Sequence, residues 1–323
     1  MTGTGTPAAA PVTTRPQLLF RRSVVHGKDE AVFIGKLAVL AALLAGGGWL
    51  AVQSSYLLAA GGIVILAAGY AHAVELQHQC LHHSAFRSSR LHRLVGVPLG
   101  APALVSYSHY RLRHLQHHRY LGTPGDTEFF GFDVRQPLTV GVLVKGMFDV
   151  TRLLTVARDI GRCATGDWQY GLGQIAPKIR RAIIVEYRLL GIAVGLVAAA
   201  CAAGGGPLVL RLWLLPFIVF LPVHFLVELP EHILCDHSSS DVLRNTRSIT
   251  GSWLTTWFTN GNNLHIEHHA AMNVPINQLR DRHGEARRFG SHVQRTYLEF
   301  YGIVVRELWA NTKAARAARR AAG

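Results

Sequence analysis

Residues 37–76 contain no Lys, Arg or Asp, and their only ionisable side chains are Tyr56, Tyr70, His72 and Glu75. A helix crosses a bilayer in about 20 apolar residues, so this stretch is long enough for two crossings with a turn at Gln53, Ser54 and Ser55. A second apolar stretch, residues 189–229, has Arg211 as its one basic residue and is broken by Gly204, Gly205, Gly206 and Pro207. Arg211 falls near the expected turn, where its side chain can reach the interface. Backbone in lipid must satisfy its own hydrogen bonds, which leaves helices as the reading for runs of this length. The sequence therefore predicts an all-α integral membrane protein, with four transmembrane helices in two hairpins at about 35–53, 55–78, 188–205 and 208–230.

The rest of the composition orients those hairpins. The chain is 49% hydrophobic and 16% charged, against about a quarter charged in soluble domains. Of its 33 basic residues only Arg211 lies inside the hairpins, so the positive-inside rule puts both termini and the long middle segment in the cytoplasm. In a bacterial cell the membrane would be the plasma membrane. The net charge of +14 follows from that bias and from attraction to anionic headgroups, and it suits an acidic electron-transfer partner. No nucleic-acid-binding module accompanies the charge, so no nucleic acid partner is expected. Cys80, Cys163, Cys201 and Cys235 lack paired spacing and are expected to stay reduced, with Cys80 and Cys235 packing rather than binding metal. Residues 1–30 read as a disordered tail, 31–310 as one membrane domain and 311–323 as a basic tail. The short apolar run 94–105, interrupted by Pro98 and Pro102, is expected to dip along the surface without regular helix, and LTVGVLVKGMFDVTRLL and PKIRRAIIVEYRLL read as interfacial amphipathic helices.

Chemistry is carried by histidines, of which there are 18. His78 and His82 lie at the cytoplasmic end of the second span, with Glu75 on the same helical stripe. HLQHH supplies His114, His117 and His118, and HIEHH supplies His265, His268 and His269. On a helix, residues three and four apart share a side, so each H-x-x-H-H run is expected to present its imidazoles together as a metal-binding face. In PVHFLVELPEHILCDH, His224, Glu228 and His232 fall at intervals of four and form one further face, kinked by Pro230. The nine imidazoles of His78, His82, His114, His117, His118, His232, His265, His268 and His269 exceed what one centre of four or six ligands takes, which points to two metals. Neutral nitrogen ligands with open positions suit iron and dioxygen better than zinc.

These residues resemble the membrane fatty acid desaturase and hydroxylase superfamily. Its three histidine boxes are similar to HQCLH, HLQHH and HIEHH here, in the same order and around the same two hairpins, over residues 33–310. The resemblance implies a cytoplasmic helical cap that carries two iron ions, with O2 as co-substrate and electrons from a separate ferredoxin or cytochrome and its reductase. It also implies His232 as a further ligand. Stearoyl-type members have an asparagine four residues before that histidine, where this chain has Glu228, the candidate catalytic residue. A first box of the form H-x(4)-H would use His83 in place of His82, while Phe86 after HHSA favours His82. Glu75, Asp126, Glu228 and Glu267 are candidates to orient imidazoles through their second nitrogen.

The segments ELPEH, NTRS and NLHIEHHAAMNVP further resemble a bacterial branch of acyl-lipid and dihydroceramide-type desaturases, carotenoid oxygenases and hydrocarbon oxygenases. The resemblance thus implies oxidation of unactivated C–H bonds in an apolar substrate, with acyl-lipid desaturation the leading activity. A hydroxylase or ketolase on the same scaffold is the alternative. A histidine-rich metal transporter is the third reading, but it would need ionisable groups across the membrane midplane, whereas these histidines gather at one end.

Overall fold

The computed structural model describes residues 15–126 and 132–322 and is mostly helical. Helices α1 (Gly27–Ala51) and α2 (Tyr56–Leu81) form an antiparallel pair joined by a four-residue turn. The N–H of His26 donates to Asp29 Oδ2 at 2.7 Å, closing the first turn of α1. At 25 and 26 residues the two helices are each about 38 Å long, enough to cross a hydrocarbon core of about 30 Å. Small residues let their backbones touch: a Cβ on Gly62 would lie 2.3 Å from the Ala51 nitrogen and 2.5 Å from the Gly47 carbonyl oxygen. Packing of this kind replaces the hydrophobic drive that lipid removes.

The next segment departs from expectation. Helix α3 (Ser89–Gly100) is regular through Pro98, and a short 3-10 turn at Ala101–Ala103 ends with Leu104 at φ +57°. Proline in the last turn forfeits only one backbone hydrogen bond, so the helix survives it. Helix α4 (Tyr107–Tyr120) follows, its first turn capped by Ser106 Oγ, which accepts from the His109 N–H at 3.3 Å. Helices α5 (Val140–Met147) and α6 (Val150–Thr165) fill the amphipathic middle segment. PKIRRAIIVEYRLL is no separate interfacial helix. It is the start of α7 (Pro177–Ala200), because its apolar positions continue without a breaker into the uncharged run.

Three helices among the described residues are long and apolar enough to cross a membrane: Gly27–Ala51, Tyr56–Leu81 and the 55-residue run Pro177–Glu231. The third contains both later spans expected from sequence. It is divided at Gly204, whose φ of +90° is a conformation that glycine adopts without a Cβ penalty. Beyond that break lie α8 (Gly206–Val209), a π-helical turn over Leu210–Leu214, and α9 (Leu215–Glu228), which packs on α2 and α5. Arg211 Nη1 donates to the Gln53 carbonyl in the α1–α2 turn at 3.2 Å, so the one basic residue of the stretch 189–229 ends on a backbone acceptor.

The remainder forms a cap of short elements: α10 (Val242–Asn245), β1 (Ser248–Ile249), α11 (Trp253–Phe258), α12 (His265–Ala270), α13 (His283–Phe289), β2 (Val293–Gln294) and α14 (Tyr297–Ala322). The fold is therefore not purely helical. Strands β1 and β2 pair in parallel, Ser248 with Val293 and Ile249 with Gln294, and fix the start of the loop that leads to α12. All four cysteines are free, and Cys80 packs in the apolar cluster of Leu76, Leu81 and Tyr107.

Parts of both expected tails are described. Residues 1–14 lie outside the described residues, but 17–19 are anchored: the N–H groups of Gln17, Leu18 and Leu19 donate to the Glu285 carboxylate, and Leu19 is fully buried beside Ile266 and Ala286. Residues 311–322 of the basic C-terminal tail are the helical end of α14, since Ala, Lys and Arg are strong helix formers. The close approach of α1 and α2 yields a contrast between adjacent glycines. Gly62→Ile should destabilise the protein by about 1–3 kcal/mol, whereas Gly61→Ala, with open space around its Cβ, should stay within about 0.5 kcal/mol of wild type. Thermal unfolding in detergent checks both.

Candidate metal centre

Three helices and one turn bring the nine expected histidines together. His78 lies in the last turn of α2 and His82 just past its end, where the chain leaves the helix through His83 at φ +56°. His114, His117 and His118 ride on α4, and His265, His268 and His269 on α12. His232 follows the 3-10 turn Leu229–Glu231 at the end of α9.

The imidazoles sort into two groups. His78, His82, His114, His118 and His268 bring their ligand nitrogens within 4.8 Å of one another, and His117, His232, His265 and His269 do the same. The two H-x-x-H-H runs thus do not each present one face, as expected from spacing. In both, the first and last histidines point to one group and the middle one to the other: His114 and His118 against His117 on α4, His265 and His269 against His268 on α12. Successive residues turn by about 100°, so neighbours such as His117 and His118 diverge while an i, i+4 pair stays aligned. The stacked rings of His118 and His269, with centroids 4.0 Å apart, join the two groups.

Within each group the Nε2 atoms converge. His78 stands 2.7 Å from His114 and 3.2 Å from His82, and His118 stands 3.1 Å from His268. In the second group His232 is 3.1 Å from His117 and 3.0 Å from His265, while His117 is 3.3 Å from His269. The opposite ring nitrogens decide what these contacts mean. His232 Nδ1 donates to the Asn245 carbonyl at 2.9 Å, His117 Nδ1 to Asp126 Oδ1 at 2.7 Å and His265 Nδ1 to Asn262 Oδ1 at 3.1 Å. Each neutral imidazole has one N–H, and here Nδ1 uses it, so Nε2 carries a bare lone pair. Three lone pairs facing one another are not hydrogen bonds. Donors at right angles on a metal with bonds of about 2.1 Å stand about 3 Å apart, the spacing these atoms have.

Electrostatics favours the neutral rings. His82, His118, His265 and His269 are held well below the ordinary histidine range, first by burial and then by neighbouring imidazoles, which would repel a second positive charge. A ligand set of neutral nitrogens, oriented by Asp126, Asn245 and Asn262 from behind, fits iron.

Not every expected residue joins the site. His83 is exposed and stacks on His92 with centroids 4.6 Å apart, so the structure brings in His82 instead. Of the four carboxylates expected to orient imidazoles, Asp126 is the one that contacts a ring of the two histidine groups among the described residues. Glu267 lies on the far side of α12, where it bonds His283 Nδ1 and Ser248 Oγ and so ties the helix to α13 and β1. Glu228 stands 3.1 Å from His224 and close to Glu75, outside both histidine groups. The expected face of His224, Glu228 and His232 is divided because a 3-10 turn of three residues per revolution rotates His232 away.

Two residues were not anticipated from spacing. Asn262 Nδ2 donates to Glu231 Oε1 at 2.6 Å while its Oδ1 holds His265, and Glu231 Oε2 lies 3.4 Å from His265 Nε2. Both adjoin a histidine motif, Glu231 in ELPEH and Asn262 in NGNNLH, but no ligand spacing singles them out. A cavity of about 410 Å³, walled by Val74, Leu104, Val105, Phe220 and Phe225, reaches the first histidine group at His114.

The metal-holding role predicts a graded result. Asn262→Leu and Asp126→Asn should each weaken metal retention about 10–100-fold, as loss of an orienting partner does. His82→Ala should lower the bound metal, while His83→Ala should leave it unchanged, as read by elemental analysis after dialysis. In comparisons with known proteins, the family model described as Fatty acid desaturase matches residues 54–301. No curated protein matches the chain.

Proposed function

Because the chain belongs to the fatty acid desaturase family, matched across most of its length, and is thereby a membrane oxidoreductase, we propose that it oxidises unactivated C–H bonds of an acyl lipid at a pair of irons held by the two histidine groups. The observation that carries this reading is the convergence of nine imidazoles, eight of them buried, at the end of a cavity partly walled by apolar side chains. Bound iron would supply the activation of O2 and the redox change. His78, His82, His114, His118 and His268 would hold one ion, and His117, His232, His265 and His269 the other. Asp126, Asn245 and Asn262 keep three of those rings in the tautomer that leaves Nε2 free.

Val74, Leu104, Val105, Phe220 and Phe225 give an acyl chain an apolar surface leading to His114. Desaturation removes two hydrogens from adjacent carbons while O2 leaves as two waters, which takes two further electrons and two protons. A separate ferredoxin or cytochrome and its reductase would deliver the electrons, and the basic cytoplasmic surface suits an acidic donor. The glycine break at Gly204 supports reading the 55-residue run as two crossings; on that reading the chain has four spans in two hairpins with both termini and the site in the cytoplasm, and in a bacterial cell the membrane would be the plasma membrane. Positioning of the carbon to within about 1 Å separates desaturation from hydroxylation on one scaffold.

Lipid profiling of cells with and without the protein tests the reading. The expected product lacks two hydrogens relative to its precursor and forms only in air. A product that instead gains one oxygen would make the protein a hydroxylase, and an unchanged lipid profile would contradict both. His268→Ala should abolish product while leaving the amount of protein in the membrane unchanged.

A further inference from the structure

A third convergence of donor atoms lies on the membrane helices, apart from the nine histidines. Glu75 on α2 and His224 and Glu228 on α9 each bring a ligand atom within 4.8 Å of the other two. Glu75 is 2% exposed, yet neither carboxylate oxygen has a hydrogen-bond partner. His224 Nε2 is also without one, although Glu228 Oε1 is 3.1 Å away. The donors nearest these carboxylates make their short contacts with other partners. Lys36 Nζ donates to Asn260 Oδ1 at 2.8 Å, Asn262 Nδ2 to Glu231 Oε1 at 2.6 Å, and Arg152 Nη1 to the Ala103 carbonyl at 3.4 Å. Lys36 and Arg152 lend their field from a distance, but among the described residues neither forms an ion pair with Glu75 or Glu228.

Two carboxylates and an imidazole facing one another have at most the one imidazole N–H to share, which leaves Glu75 unpartnered and is costly away from water. A proton can bridge only two of the three atoms. We propose that Glu75, His224 and Glu228 hold a third cation, a divalent first-row transition metal distinct from the two assigned to the histidine groups. Two carboxylates balance its charge, and the imidazole favours such a metal over calcium or magnesium. The donors sit on helices locked together by Val74, Phe217 and Phe220, so the arrangement is preset by packing. His224 and Glu228 line the cavity of about 410 Å³ while Glu75 forms the buried wall behind them. Three protein ligands leave positions open on the cavity side. A metal there would fix a water or a substrate oxygen in the same cavity that reaches His114.

Manganese(II) serves as the probe. Purified, iron-loaded protein in detergent is saturated with Mn(II), desalted and measured for total metal, with the manganese environment read by electron paramagnetic resonance. The wild type is expected to retain three metals per chain. Glu75→Gln and His224→Ala should retain two and bind Mn(II) at least tenfold more weakly. Should His224→Ala misfold, Glu228→Gln, which keeps the side-chain shape, decides in the same way. A wild type holding only two metals, or variants holding as many as the wild type, would overturn the proposal. The histidine-held pair fails separately, through unchanged metal in His268→Ala.

Discussion

Nine imidazole lone pairs held together out of water are the constraint on which the rest of the structure depends. His117, His232 and His265 point their Nδ1 hydrogens outward to oxygen acceptors, which leaves their Nε2 lone pairs facing one another and suited to a cation. Keeping them so close requires rigid carriers. Helix α2 is fixed against α1 by glycine contacts, α4 is capped by Ser106, and α12 is tied at its back by Glu267 to α13 and β1. A cation at these groups would relieve the repulsion among them and add to the stability of the cap.

The division of each H-x-x-H-H run between two groups explains why two such runs are needed. One helix sends a pair to the first group and a single ring to the second; the other does the reverse. Because α4 and α12 both contribute to both groups, neither group can form without the two helices docking. His78 and His82 complete one group from the membrane side, and His232 completes the other from the end of α9. The site is therefore a junction between the spanning helices and the cap, which places it next to the apolar cavity beneath.

Much of this was legible in the sequence, for a physical reason. Uncharged runs as long as residues 37–76 leave few structures besides membrane helices, and the histidine motifs named all nine converging rings. What eluded it were effects of rotation and packing. Spacing placed His117 with His118, but a 100° turn per residue sends them to different groups. Glu267 is one residue from a ligand and points the other way. Glu228 and His232 share a period of four that a 3-10 turn breaks. Asn262 and Glu231 matter through a contact made only when distant segments meet, and Pro98 sits inside α3 where no regular helix was expected. The anchoring of residues 17–19 on Glu285 likewise depends on a partner more than 260 positions away.

The central claim is that converging imidazoles, and no sulfur or carboxylate cage, hold two irons. Iron K-edge X-ray absorption of the purified, iron-loaded protein tests it most directly, because imidazole rings add a distinctive outer-shell pattern to a nitrogen first shell. The account predicts two irons per chain dominated by imidazole nitrogen. Spectra with a sulfur shell, or an oxygen shell without the imidazole pattern, would contradict it.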